Sequence, residues 1–203
     1  TQRIQNFMVH LFQGGEATVG PADSLHVVTL VERGVEEARH LDNEPLVQAE
    51  LYQTLGTISQ QLGRLDQADS LLSLSLDRRR ALPGRDEMGV AEGLVALGEL
   101  RIEQARFEEG ERLIREALAI ERGALADDHP AVRRALSALG QVLQSRGEYD
   151  EAIAVQQELV GMASGGDSPE VAAHMSALAS THFYAGQYDT ADSLNTLVLD
   201  MNR

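Results

Sequence analysis

Catalysis and metal binding need histidine, cysteine, serine or carboxylates at particular spacings, and this 203-residue chain offers few such spacings. There is no cysteine, which removes disulfides, thiolate metal sites and a cysteine nucleophile without fixing a compartment. The six histidines are scattered; His174 and His182, the nearest to a ligand pair, stand eight residues apart on one helix. At 1.5 Å of rise per residue that is about 12 Å, too far to share one zinc ion. Gly161-Met162-Ala163-Ser164-Gly165 has the wrong spacing for a nucleophile elbow and reads as the end of a helix. A phosphate-binding glycine loop, a dinucleotide fingerprint and a His-Glu-x-x-His pair are all missing. Glu108-Glu109 and Asp127-Asp128 fall near helix starts, where acids favour the dipole, and His129 before Pro130 reads as a cap rather than a base. The residue set points to no catalytic residue, no metal and no cofactor.

The elements that carry these side chains recur. Leu55-Gly56 with Gly63 and Ala68 returns 42 residues later as Leu97-Gly98 with Ala105 and Gly110. It returns again as Leu139-Gly140 with Gly147 and Ala152, then after 39 residues as Leu178-Ala179 with Gly186 and Ala191. Tyr52, Leu94, Leu136 and Met175 add an apolar stripe three residues before each leucine, as on one face of a helix. The small residue after the leucine allows a neighbouring helix to come close, and the next small column ends the helix at a C-cap. Leu65, Phe107, Tyr149 and Tyr188 then open a second helix, whose buried face runs through Leu71/Leu72/Leu76, Leu113/Ile114/Leu118, Val155/Leu159 and Leu194/Leu197/Val198. Helix pairs are expected to break near 63–65, 105–107, 147–149 and 186–188. Gln156 and Asn195 stand in the column of Leu72 and Ile114, so packing is expected to be poorer there. A fixed period of this length is the mark of stacked repeats, each contacting its neighbours.

These columns resemble the signature of the tetratricopeptide repeat (TPR), over roughly residues 44–203, and the 42-residue period with the linker Ala119–Val132 resembles the kinesin-light-chain type. The resemblance implies an all-α, right-handed α-solenoid of four helix-turn-helix repeats, about 44–85, 86–127, 128–166 and 167–203. Residues 1–43 precede it as a helical hairpin, a degenerate or capping repeat. It also implies a non-catalytic module that binds a protein or peptide along a concave groove lined by the first helices. By register with the family, that groove takes Gln53, Thr57 and Gln60 from repeat one, and Val95, Glu99, Ile102 and Glu103 from repeat two. Repeat three supplies Ser137, Gln141 and Gln144, and repeat four Ser180, Phe183 and Tyr184. The Lys/Asn clamp of the chaperone-binding members is not matched, because Gln53/Thr57 and Ser137/Gln141 stand at its positions. A narrower likeness, carried by Arg3–Phe12, Ala22–Leu25 and Glu44–Leu51, is to the region after the kinase domain of certain bacterial serine/threonine kinases. It implies the regulatory or sensor part of a larger signalling protein, cytoplasmic or, where the parent spans a membrane, extracytoplasmic. A small-molecule or peptide-pheromone sensor using the same groove is the alternative.

Composition bounds these readings. Net charge is −15, and all 17 basic residues are arginine, so a phosphate backbone meets repulsion and nucleic acid is not an expected partner. No apolar run has the length of a membrane span, and direct membrane contact is not expected. Ile4, Phe7, Met8 and Leu11 have amphipathic helical spacing; Gln13–Asp23 reads as a loop; a second helix follows a cap at Asp23 or Ser24 and buries Leu25, Val28, Val31, Val35 and Ala38. The chain begins with Thr and stops inside an expected helix, as an excised piece of a longer protein would.

Overall fold

The computed structural model describes residues 27–84, 86–163 and 169–201. Among them are nine helices: α1 (Val27–Arg39), α2 (Pro45–Gln61), α3 (Leu65–Ala81), α4 (Glu87–Glu103), α5 (Phe107–Ala124), α6 (Pro130–Arg146), α7 (Tyr149–Met162), α8 (Pro169–Tyr184) and α9 (Tyr188–Met201). No strand occurs among the described residues. The expected helix over residues 3–12, the cap at Asp23 or Ser24 and Leu25 lie outside them. The chain forms two compact units, one ending at Ala96 and the other beginning at Leu97, within α4.

All four turns fall where the repeated columns put them, and all are built alike. Arg64 N–H donates to the Ser59 carbonyl and Gly63 N–H to that of Gln60; Arg106/Arg101 with Ala105/Ile102, Glu148/Leu143 with Gly147/Gln144, and Gln187/His182 with Gly186/Phe183 repeat the pattern. These paired bonds satisfy the last carbonyls of each first helix and require a left-handed residue just beyond it. Glycine fills that place three times, with φ of 73° to 79° at Gly63, Gly147 and Gly186. The fourth is Ala105, at φ 56°, where a side chain carries a conformational cost. Its turn is tied down by Arg106, which bonds Glu109 at 2.6 and 2.8 Å, and by Arg101, 3.3 Å from the same carboxylate. The Arg106 hydrogen bonds hold the Glu109 carboxyl below its ordinary value.

In the first unit, Val31 and Ala38 of α1 meet Leu51, Tyr52 and Leu55 of α2 and Leu71 of α3. Gly56 lets α3 come so near that an added Cβ would lie 2.8 Å from Leu72. Two buried polar side chains reach neighbouring backbone: Gln48 donates to the Ala38 carbonyl at 2.8 Å and Ser75 to that of Ala49 at 2.7 Å. Arg79, only 6% exposed, projects from the last turn of α3 to Asp86 at 2.6 Å and Glu92 at 4.0 Å. Asp86 also caps α4, accepting from Gly89 N–H at 3.1 Å.

In the second unit, α5 packs on α6, α6 on α7, α7 on α8 and α8 on α9. Gly98 allows the close approach of α5, where a Cβ would lie 2.7 Å from Ile114 and 3.2 Å from the Gly110 carbonyl. At Gly140 the facing atom is Gln156 Cγ, at 3.3 Å. That approach is looser, as expected, yet Gln156 is buried and satisfied, accepting from Thr181 Oγ1 at 2.8 Å. One expectation fails in α9. Only Ala191 is buried there, while Leu197 and Leu199 are exposed, because α9 packs on α8 and its other face is open.

Candidate functional site

Polar side chains of three first helices line a cleft of about 370 Å³ in the second unit. It is lined by Glu99 from α4, by Pro130, Arg133, Arg134, Ser137, Ala138 and Gln141 from α6, and by Glu170 and His174 from α8. Proline at the first positions of α6 and α8 starts both helices without loss of a hydrogen bond, and His129 caps α6 by accepting from Ala131 N–H at 3.2 Å. The helical repeat then sets Arg134, Ser137 and Gln141 along one side of α6.

Two arginines span the cleft. Arg134 holds Glu99 with two bonds, at 3.2 and 2.7 Å. Arg133 reaches Glu170 at 2.8 Å, and His174 approaches that carboxylate at 3.8 Å. The Arg133 Nε is buried with no partner. Further along the same helices Gln144 donates to Ser180 at 3.3 Å. Elsewhere in this unit, Arg115 bonds Glu151 at 2.7 Å, Arg122 bonds Glu158, and Arg146 bonds Glu111. Glu121 of α5 is 2% exposed, with one carboxylate oxygen unpartnered. Burial pushes its carboxyl above the ordinary value of 4.5, and the positive charge of Arg134 opposes that shift.

Of the residues expected on the groove, Glu99, Ser137 and Gln141 line this cleft, and Gln144 and Ser180 extend its wall. Phe183 and Tyr184 are exposed at the end of α8. Glu103 is exposed and Thr57 and Gln60 are half-buried. Gln53, Val95 and Ile102 need correcting: all three are buried, and Ile102 packs where a Cβ on Gly110 would come within 3.2 Å of it. A first helix packed on more than one side has only a narrow strip left for solvent, and these positions fall outside it. Glu99 is also not the open acid that a patch for cationic ligands requires, because Arg134 already occupies it. Pro130, Arg133, Arg134, Glu170 and His174 were missing from the expected set. Their signal is the helix-opening proline, since residues within the first two turns after it on α6 and α8 line the same cleft.

Among the described residues no group of histidines and carboxylates is placed to hold a metal ion, and no helix is long and apolar enough to cross a membrane.

Comparison with known proteins bears on the fold. The family described as Tetratricopeptide repeat matches residues 49–81 and, in a second form, 89–164. No curated protein sequence matches the chain significantly. A kinesin-light-chain-type protein of nearly identical TPR-like repeats from Podosopora anserina is similar with a TM-score of 0.77 at 16% identity, over 97% of this chain and 91% of that one. BtubC (BKLC) from P. vanneervenii gives 0.73 at 20% identity, over 86% of this chain and 71% of its own. A MamA fragment from Desulfovibrio magneticus RS-1 gives 0.69 at 16%, over 98% and 93%. At these identities the likeness is one of fold.

Proposed function

The chain is a tetratricopeptide-repeat array, an all-α helical-repeat solenoid, and from that premise we propose that it is a non-catalytic scaffold that holds an extended polypeptide on its first-helix faces. The observation that carries this reading is the cleft between α4, α6 and α8. Its walls present hydrogen-bonding side chains of both signs, Glu99, Arg133, Arg134, Gln141 and Glu170, around the apolar Pro130 and Ala138. A polypeptide main chain offers donors and acceptors in equal number, and such a wall can meet both. The ion pairs across it are partly exposed and individually weak, about 0–1 kcal/mol, so a ligand exchanges with them at little cost. Four repeats, about 44–85, 86–127, 128–166 and 167–203, follow an N-terminal hairpin of residues 1–43 in this proposal. A place beside a kinase domain in a larger signalling protein rests on the likeness of the first fifty residues alone.

The test is a proximity-labelling comparison of the wild type with a Ser137→Trp/Gln141→Trp variant, which fills the cleft from two exposed positions on α6. Partners recovered by the wild type are expected to be lost by the variant at an unchanged melting temperature. Equal recovery by both overturns the reading. A sensor for a small molecule or short peptide pheromone is favoured by one observation, a cleft volume within the roughly 300–1,000 Å³ of ligand pockets. A metabolite or peptide that raises the melting temperature of the wild type but not of the filled variant selects that second reading.

A further inference from the structure

Beyond the cleft, α8 ends in Phe183 and Tyr184, and Tyr188 opens α9 after the turn. The Phe183 ring lies 5.8 Å from that of Tyr184 and 5.3 Å from that of Tyr188, edge-on to both. Clustered aromatics normally bury one another, but these are 56, 61 and 62% exposed. Edge-on contact engages the rim of one ring with the face of another and leaves other faces open to solvent, each negative at its centre.

The surrounding charge has the same sign. Helix α9 carries Asp189, Asp192 and Asp200 and no basic residue. Asp189 follows Tyr188 directly, and Asp192 lies one turn beyond that ring, on the same side. The described arginines of this unit pair elsewhere, with Glu99, Glu109, Glu111, Glu116, Glu151, Glu158 and Glu170. Neither Asp189 nor Asp192 has an ion pair among the described residues. Open aromatic faces beside uncompensated carboxylates attract a cation that can also stack, and a guanidinium does both better than an ammonium.

We propose that Phe183, Tyr184 and Tyr188 form a seat for an arginine or lysine side chain of the polypeptide bound along the first-helix face. This deepens the scaffold reading and rests on it. The partner is cationic at the α8–α9 end, while the cleft, with its balanced pairs, sets no strong charge preference.

The probes are three eight-residue peptides that alternate glycine with arginine, with lysine or with glutamate. Two of the four tyrosines of this tryptophan-free chain belong to the cluster, so intrinsic tyrosine emission reports binding there. The arginine peptide is expected to bind several-fold tighter than the lysine peptide, and the glutamate peptide not at all. Phe183→Ala/Tyr188→Ala is expected to weaken the arginine peptide about tenfold by calorimetry, with Tyr188→Phe restoring most of it. Asp189→Asn/Asp192→Asn is expected to weaken it a few-fold at low salt and hardly at all at high salt. Unchanged binding in the aromatic variant, or equal binding of the arginine and glutamate peptides, overturns the proposal. Concentration-dependent dimerisation of the wild type that the aromatic variant abolishes also overturns it, since a second copy then occupies the face. Binding that survives the aromatic variant but is lost in Ser137→Trp/Gln141→Trp removes the seat and keeps the scaffold; indifference to both variants removes both.

Discussion

Two joints between successive helix pairs occupy the same place in the repeat, one in each unit, with opposite charges. In the first unit Arg79, at the end of α3, faces Asp86 and Glu92 at the start of α4. In the second, the residue 42 positions on is Glu121 at the end of α5, and the counterpart of Glu92 is Arg134 in α6. Both joints bury the charged residue of the earlier helix and leave one of its polar atoms unpartnered. The small residue beneath changes in step. A Cβ on Gly89 would come 1.7 Å from the Arg79 guanidinium, whereas the shorter Glu121 has Ala131 at the matching position. The columns that set helix approach are thus common to the repeats, while the buried charge is private to each joint. A joint with its charges inverted disfavours the wrong neighbour, because α3 against α6 would bring Arg79 to Arg134.

The largest effect is expected where the first joint is broken. Arg79→Glu sets a buried carboxylate against Asp86 and Glu92 and is expected to cost about 3–5 kcal/mol in urea unfolding. A loss under about 1 kcal/mol would mean that the joint is not held by charge. Next comes the helix approach. Gly98→Ala meets Ile114 and the fixed Gly110 carbonyl, and is expected to lose about 1–2 kcal/mol net of its helix-propensity gain. Gly140→Ala meets only the yielding Gln156 side chain and is expected to be neutral or stabilising, so equal urea midpoints for the two would contradict the assignment.

The second joint is expected to respond the other way from the first. The folded chain holds the Glu121 proton more tightly than the unfolded chain, so its contribution to stability falls as pH rises from about 4.5 through the raised value. Glu121→Gln is expected to remove that slope and add about 1–2 kcal/mol above the window, as read from melts at several pH values. A parallel pH profile for variant and wild type would place the titrating group elsewhere. The smallest effect is expected at the alanine turn that precedes α5. Ala105→Gly relieves the left-handed strain and is expected to stabilise by about 0.5–1 kcal/mol in the same assay.

The helix boundaries were legible because four aligned turns leave little freedom: a glycine or alanine two residues before an apolar one recurs at every break. The paired donors of those turns could be inferred from Gly63, Gly147 and Gly186, though not that Ala105 adopts the same backbone. The site was only half legible. Ser137 and Gln141, chosen by helical phase, line the cleft, but phase alone could not tell that Gln53, Val95 and Ile102 turn into packed interfaces. Arg79 and Glu121 escaped notice because charged residues are so rarely buried. Sign inversion at matched columns, Arg79 with Glu92 against Glu121 with Arg134, was the available clue. Leu197 shows the converse error, a position that is core in form but exposed, because among the described helices α9 packs on α8 alone.

The cross-repeat bonds of the second unit bear on how this chain reaches its fold. Glu99–Arg134, Arg115–Glu151, Gln144–Ser180 and Glu111–Arg146 join residues 35 or 36 apart in sequence. Closing a loop costs entropy that grows with the logarithm of its length, about 0.6 kcal/mol per doubling, and these contacts never ask for a loop longer than one repeat. Contacts so local in sequence go with rapid folding, and in a repeat array they allow nucleation at any pair of neighbours. On a ribosome, each bond becomes available as soon as one further repeat has emerged, so a helix pair waits only for its next neighbour and not for the end of the chain.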